Sequence, residues 1–157
     1  MLVEMIENDI EDACQLIALS MNANEAKWAR KTMIYHFKCK ENDINDGRSY
    51  FTYSKDQHLC GLVGLHHYEW GPEENVWLAW FAVQPRFQRK GIGKAMLELI
   101  EKQARSIGYS KLFIETYKQA EFDNALKFYT ASGFTQVGVI SDYLPSSEDM
   151  IVLKKDL

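Results

Sequence analysis

Apolar positions along the chain change period several times, and each change marks an element. Met1 to Ile6 reads as a first strand. Asp9 is placed to cap a helix running through Leu19, with Ala13, Leu16, Ile17 and Leu19 on one face. Asn24 is placed to cap a second helix, in which Ala26, Ala29, Met33 and Phe37 recur at helical spacing in a stretch rich in Lys and Arg. After Gly47 the stretches Ser49 to Ser54 and His58 to Tyr68 are dominated by aromatic and β-branched residues. Lys55-Asp56-Gln57 separates them, as the turn of a hairpin would.

Beyond the polar loop from Glu69 to Asn75, Val76 to Val83 is apolar without alternation. That is the pattern of a central strand covered on both faces. Ile92, Met96, Leu99, Ile100, Ala104 and Ile107 repeat at three and four residues, and Gly108 stands where a helix end wants a left-handed residue. Lys111 to Tyr117 reads as a strand and Asn124 to Ser132 as a helix ended by Gly133. Thr135 to Ile140 and Met150 to Lys154 form a closing strand pair. No linker or repeat divides the 157 residues, so one mixed α/β domain over 1–157 is predicted.

Charge narrows the function. Eighteen Lys and Arg against 22 Asp and Glu give a net charge of −4, which argues against nucleic acid as a partner. Neither a basic-apolar leader nor a long uninterrupted apolar run occurs, so a cytoplasmic protein with no membrane partner is expected. Cys14, Cys39 and Cys60 are scattered and form no CxxC pair. Adjacent His66 and His67 point to opposite faces of a strand and cannot share an ion, so no metal is expected.

The strongest chemical signal lies between the apolar strand and the long helix, in Gln88-Arg89-Lys90-Gly91-Ile92-Gly93. A glycine-containing turn feeding a helix N-terminus offers unpaired N–H groups and the positive end of a dipole to an anion. Arg86, Arg89 and Lys90 add charge of the right sign. A Walker loop does not fit, because Lys94 is followed by Ala95. A dinucleotide fingerprint lacks its third glycine at Met96.

The run from Val83 to Gly93 resembles the acetyl-CoA signature [QR]-x-x-G-x-[GA] of the GNAT N-acetyltransferase superfamily, and Ala125 to Phe134 (ALKFYTASGF) is similar to that family's A-x-x-F-Y-x-x-x-G-F motif. The likeness covers about residues 76 to 140 well. It implies a mixed sheet of about seven strands flanked by about four helices and splayed between strands four and five. It further implies acetyl-CoA as cosubstrate and direct transfer of acetyl to a primary amine, through a tetrahedral intermediate whose oxyanion a backbone N–H near Val83 would stabilise. Cofactor contacts are then expected from Phe81, Ala82 and Val83, from Gln88, Arg89, Lys90, Gly91, Ile92, Gly93 and Lys94, and from Asn124. A homodimer is left open.

Tyr129 matches the family's general acid; the alternative is an aromatic core anchor. Phe122 stands where many members carry a cofactor-contacting Asn, while Asn124 is a candidate helix cap as well. Strand four lacks the glutamate that serves many members as base. Glu115 on strand five is the candidate instead, against a purely structural carboxylate. These departures keep a second reading in play, a non-catalytic acyl-CoA-binding module of the same fold. Cys60 is expected in the core rather than as a nucleophile.

Overall fold

A computed structural model describes residues 1–157. Its elements in chain order are β1 (Leu2–Glu4), α1 (Ile10–Ser20), α2 (Ala23–Glu41), β2 (Arg48–Lys55), β3 (His58–His66), β4 (Asn75–Val83), α3 (Ile92–Ile107), β5 (Lys111–Tyr117), α4 (Asp123–Ala131), β6 (Thr135–Ile140) and β7 (Met150–Asp156). The seven strands form one sheet in the order β1-β2-β3-β4-β5-β7-β6, with only β4 and β5 parallel. The expected mixed sheet and four helices are therefore present.

Two cores lie on opposite faces of this sheet. On one, Met96, Leu97 and Ile100 of α3, Tyr129 of α4 and Phe134 just beyond it are buried against Val63, Val76, Leu112 and Ile114. On the other, Ile17, Ala29, Met33 and Phe37 of α1 and α2 pack on Tyr50, Leu62 and Ala82 of the strands up to β4. Glu101 of α3 is 5% exposed and meets Lys155 of β7 at 2.6 Å and Arg105 at 3.5 Å, tying α3 across the far half of the sheet.

Local signals explain most element ends. Asp56 and Gln57 both have positive φ (51° and 63°), giving the two-residue turn whose twist suits a hairpin, with Lys55 opposite His58. Gly108 closes α3 at φ 113°. Gly47 (φ 73°) approaches so closely that a Cβ there would overlap the His67 carbonyl oxygen.

Several expectations need correction. The cap of α2 is Asn22, not Asn24: its Oδ1 accepts the Glu25 N–H at 2.8 Å. Asp9 makes no cap bond to α1 and instead accepts the Ile6 N–H at 2.9 Å, bracing the turn before the helix. Leu19 is 59% exposed, because the helical turn places it on the face of α1 opposite the buried Ile10 and Ile17. The first strand is shorter than Met1 to Ile6, and β3 ends at His66 rather than Tyr68. β4 is not covered throughout. Val76, Leu78 and Ala82 are buried but the intervening residues are only partly so, since the sheet opens beside them.

That opening positions the site. β4 and β5 pair only over Asn75–Trp77 and Lys111–Phe113, then diverge. The expected splay between the fourth and fifth strands is thus a feature of this sheet.

Candidate active site

At the splay a cavity of about 790 Å³ runs from the α1 end (Ser20, Met21) past Phe81, Ala82 and Val83 to the groove between α3 and α4. The glycine loop forms one wall. Gly91 is the N-cap of α3 and lies in the left-handed region (φ 80°), as does Arg89 (φ 56°), so the chain turns sharply into the helix. No side chain caps this helix end, which leaves its first N–H groups free for an anion. Gln88 braces the loop by donating from Nε2 to the Val83 carbonyl at 2.9 Å.

Most of the expected cofactor contacts line this cavity: Phe81, Ala82, Val83, Gln88, Arg89, Gly91, Gly93, Lys94 and Asn124. Two side chains do not. Ile92 is 7% exposed and belongs to the core, so it can contribute only main-chain groups, while the exposed Lys90 has its Nζ 5.9 Å from the Phe87 ring, outside the cavity. Asn124 is not a cap. α4 starts at Asp123 without a side-chain cap bond, which leaves the Asn124 side chain at the cavity wall.

Tyr129 lies at the inner wall, 6% exposed, within about 6 Å of three rings: Phe81 (6.0 Å), Phe128 (5.3 Å) and Phe134 (5.8 Å). Its hydroxyl has no hydrogen-bond partner within the chain, and burial pushes its pKa up, which keeps the phenol protonated. The α4 motif was legible for this tyrosine, yet Phe128 beside it is equally part of the wall, stacked on Phe81 at 5.8 Å. Phe122 also lines the cavity and packs edge-on against Tyr117 at 5.7 Å. Met21 and Lys155 reach the cavity from distant parts of the sequence that carry no motif.

Glu115 is on the opposite face of β5. Leu112, Ile114 and Thr116 are buried on the α3 side, so Phe113, Glu115 and Tyr117 alternate onto the face beside α2. Glu115 sits two residues past the last β4–β5 pair, at the mouth of the splay, and does not line the cavity with Tyr129. Its side chain reaches solvent, yet the surrounding protein displaces water from the carboxyl and raises its pKa. Glu25 is raised likewise, by burial first and then by the charges of Glu121 and Glu115. Asn22 links that pair, donating to Glu121 Oε1 at 3.1 Å while capping Glu25. None of these three carboxylates forms an ion pair. Tyr117, stacked 6.0 Å from Tyr143, is pushed up to about 12 by burial and by Glu115.

The two histidines lie apart from this chemistry. His66 packs 4.3 Å from Tyr68, and burial and Arg48 lower it to about 4, so it is neutral near pH 7. The His67 Nδ1 hydrogen-bonds the Asn75 carbonyl at 2.9 Å. Cys60 is fully buried and its thiol donates to the His58 carbonyl at 3.2 Å, a core residue as expected.

Comparison with known proteins agrees with this architecture. The acetyltransferase (GNAT) family model matches residues 12–134. An uncharacterized N-acetyltransferase of Bacillus subtilis strain 168, YsnE, is 34% identical over 62% of this chain and 78% of its own length. Among solved structures, a GNAT-family protein from Desulfovibrio desulfuricans superposes with a TM-score of 0.87 over 99% of this chain and 98% of that one, at 20% identity. A Bacillus subtilis acetyltransferase in complex with CoA gives a TM-score of 0.72 over 100% and 97% of the two chains, also at 20% identity.

Proposed function

The chain belongs to the acetyltransferase (GNAT) family, and on that premise we propose that it transfers acetyl directly from acetyl-CoA to a primary amine, with Tyr129 as general acid. The observation that carries this reading is the splay itself, with a glycine-turned anion site at one end of its cavity and an unpartnered phenol inside it. The cavity suits acetyl-CoA. Free N–H groups at the start of α3, with Arg89 and Lys94, match a pyrophosphate, and Phe81, Val83, Phe122 and Phe128 offer apolar wall to a pantetheine arm. Acetyl-CoA supplies the activated carbonyl.

The remaining chemistry falls to the chain. The Tyr129 hydroxyl donates its proton to the departing sulfur; a phenol whose pKa burial has raised is held in the donating form. Glu115, at the other mouth of the opening, takes the proton that the amine must lose. A carboxyl with a raised pKa is a better match to an ammonium than an ordinary one. Glu25, Glu115 and Glu121, unpaired and close to tyrosine rings, favour a positively charged acceptor on that side.

Binding and turnover test the proposal together. Acetyl-CoA at about a hundred times its Kd should stabilise the fold by about 2.7 kcal/mol, a rise of roughly 5–10 °C in Tm. Amine-dependent thiol release should accompany it. A Tm indifferent to saturating acetyl-CoA would refute the assignment.

Glu115→Gln is expected to lower kcat/KM near neutral pH by about 10²-fold or more. The wild-type profile should climb with pH as the Glu115 carboxyl loses its proton, at a pH above that of an ordinary carboxylate because burial favours the protonated form. Gln carries no such proton, so the climb should vanish from the kcat/KM profile of the variant; its persistence would assign it to another group.

A further inference from the structure

One residue of β4 holds a conformation its side chain does not favour. Trp80 has φ 46°, in the left-handed region, where an L-residue gives up about 1–2 kcal/mol. It lies where the register with β3 jumps from Leu62↔Ala82 to Gly64↔Ala79, so that Trp80 and Phe81 together oppose Val63. Such a bulge leaves one residue out of the ladder and bends the strand. Here it separates the stretch of β4 that pairs with β5, ending at Trp77, from Phe81, Ala82 and Val83, which line the cavity.

Something must hold the bulge in place, and α2 supplies it. The Trp80 Nε1–H donates to Thr32 Oγ1 at 2.8 Å. The Thr32 hydroxyl spends its own proton on the Ala29 carbonyl at 3.0 Å, which leaves its lone pairs turned to the indole. Ala29 is fully buried in the core beneath, so the acceptor is anchored to a rigid part of α2. Relaxing Trp80 to an ordinary strand conformation would swing the indole off this anchor and move the main chain that walls the cavity.

We propose that Thr32 is a positioning residue: through Trp80 it pegs the β4 bulge in the shape that presents the Phe81–Val83 main chain to the acyl group. The catalytic consequence rests on the acetyl-transfer reading above. The peg itself can be tested in the free protein.

Thr32→Val keeps the volume and removes the hydroxyl, and Thr32→Ser keeps the hydroxyl. Amides of residues 79–83 should exchange with solvent at least about tenfold faster in the Val variant and return to near wild type in the Ser variant, with α3 amides unaffected. By steady-state kinetics kcat should fall about tenfold in the Val variant while the calorimetric Kd for acetyl-CoA changes by clearly less than kcat, because the helix end that would hold the pyrophosphate stays in place and no residue of α2 lines the cavity. Unchanged exchange in the Val variant would overturn the peg, as would failure of Ser to restore it. Faster exchange with an undiminished kcat would overturn the positioning role. Should Thr32→Val not fold, Trp80→Phe removes the same donor and is expected to behave alike. Wild-type protein that binds acetyl-CoA but turns over no amine would instead sink the transferase reading, leaving the exchange arm to decide the peg.

Discussion

Tyr129→Phe should lower kcat by about 10²- to 10⁴-fold while acetyl-CoA binds as tightly as before. The separation of the two effects follows from how the residue sits. The ring carries the packing, with Phe81, Phe128 and Phe134 each about 6 Å or less away, and Phe retains all of it. The hydroxyl has no partner in the chain, so its loss strands no buried donor or acceptor and Tm should hardly move. What is lost is a hydrogen-bond and proton donor beside a leaving thiolate, one that burial keeps protonated throughout the working pH range. Thiol-release kinetics with calorimetric acetyl-CoA affinity for both proteins measures the effect. A variant within about threefold of wild type would remove Tyr129 from the chemistry. Two proteins equally able to bind and equally unable to turn over would favour the acyl-CoA-binding module.

Much of this site was legible because its parts are local in sequence. A glycine turn before a strongly periodic helix can do little but present its N–H groups, and Gly91 adopts the left-handed turn that its lack of a Cβ permits. The cap of α2 was also within reach. Asn22-x-x-Glu25 has the spacing of a capping box, a stronger signal than the isolated Asn24. Simple alternation along β5 separates Glu115 from Ile114, so its face was readable too. Only the divergence of β4 from β5 shows that this face opens beside the splay.

The parts that escaped the sequence depend on long-range closure. Met21, Lys155 and the Thr32–Trp80 contact join segments tens of residues apart, and nothing in the local pattern of any one of them records its partner. Trp80 looks like an ordinary strand residue within an apolar run, and its left-handed backbone follows from the bulge and from α2 rather than from its own propensity. Lys90 shows the converse. Its charge suits an anion, but its ammonium lies near the Phe87 ring and outside the cavity lining.

The largest loss of binding is expected at Gly93, and its sign is opposed to the effect on stability. Unlike Gly91, Gly93 needs no left-handed backbone. The nearest atoms to a Cβ there would be those of Phe128 at 3.6 Å and Val83 at 3.7 Å, ordinary contact distances. The fold therefore tolerates a side chain at this position, and the space it would fill belongs to the cavity. Gly93→Glu replaces glycine near the start of α3 by a better helix former and puts a negative charge by the positive end of the dipole, together worth roughly 1 kcal/mol in favour of the folded state. The same carboxylate occupies the place proposed for the pyrophosphate, so Kd for acetyl-CoA should rise at least about 10²-fold, whereas Gly93→Ala should cost less than tenfold. Calorimetry and thermal unfolding on the two variants separate the causes. A Gly93→Glu protein that melts many degrees lower would make the glycine a packing requirement, and one that still binds within about threefold of wild type would place the anion elsewhere. Raised Tm with lost affinity is the signature of a helix end left uncapped for a ligand rather than for the fold.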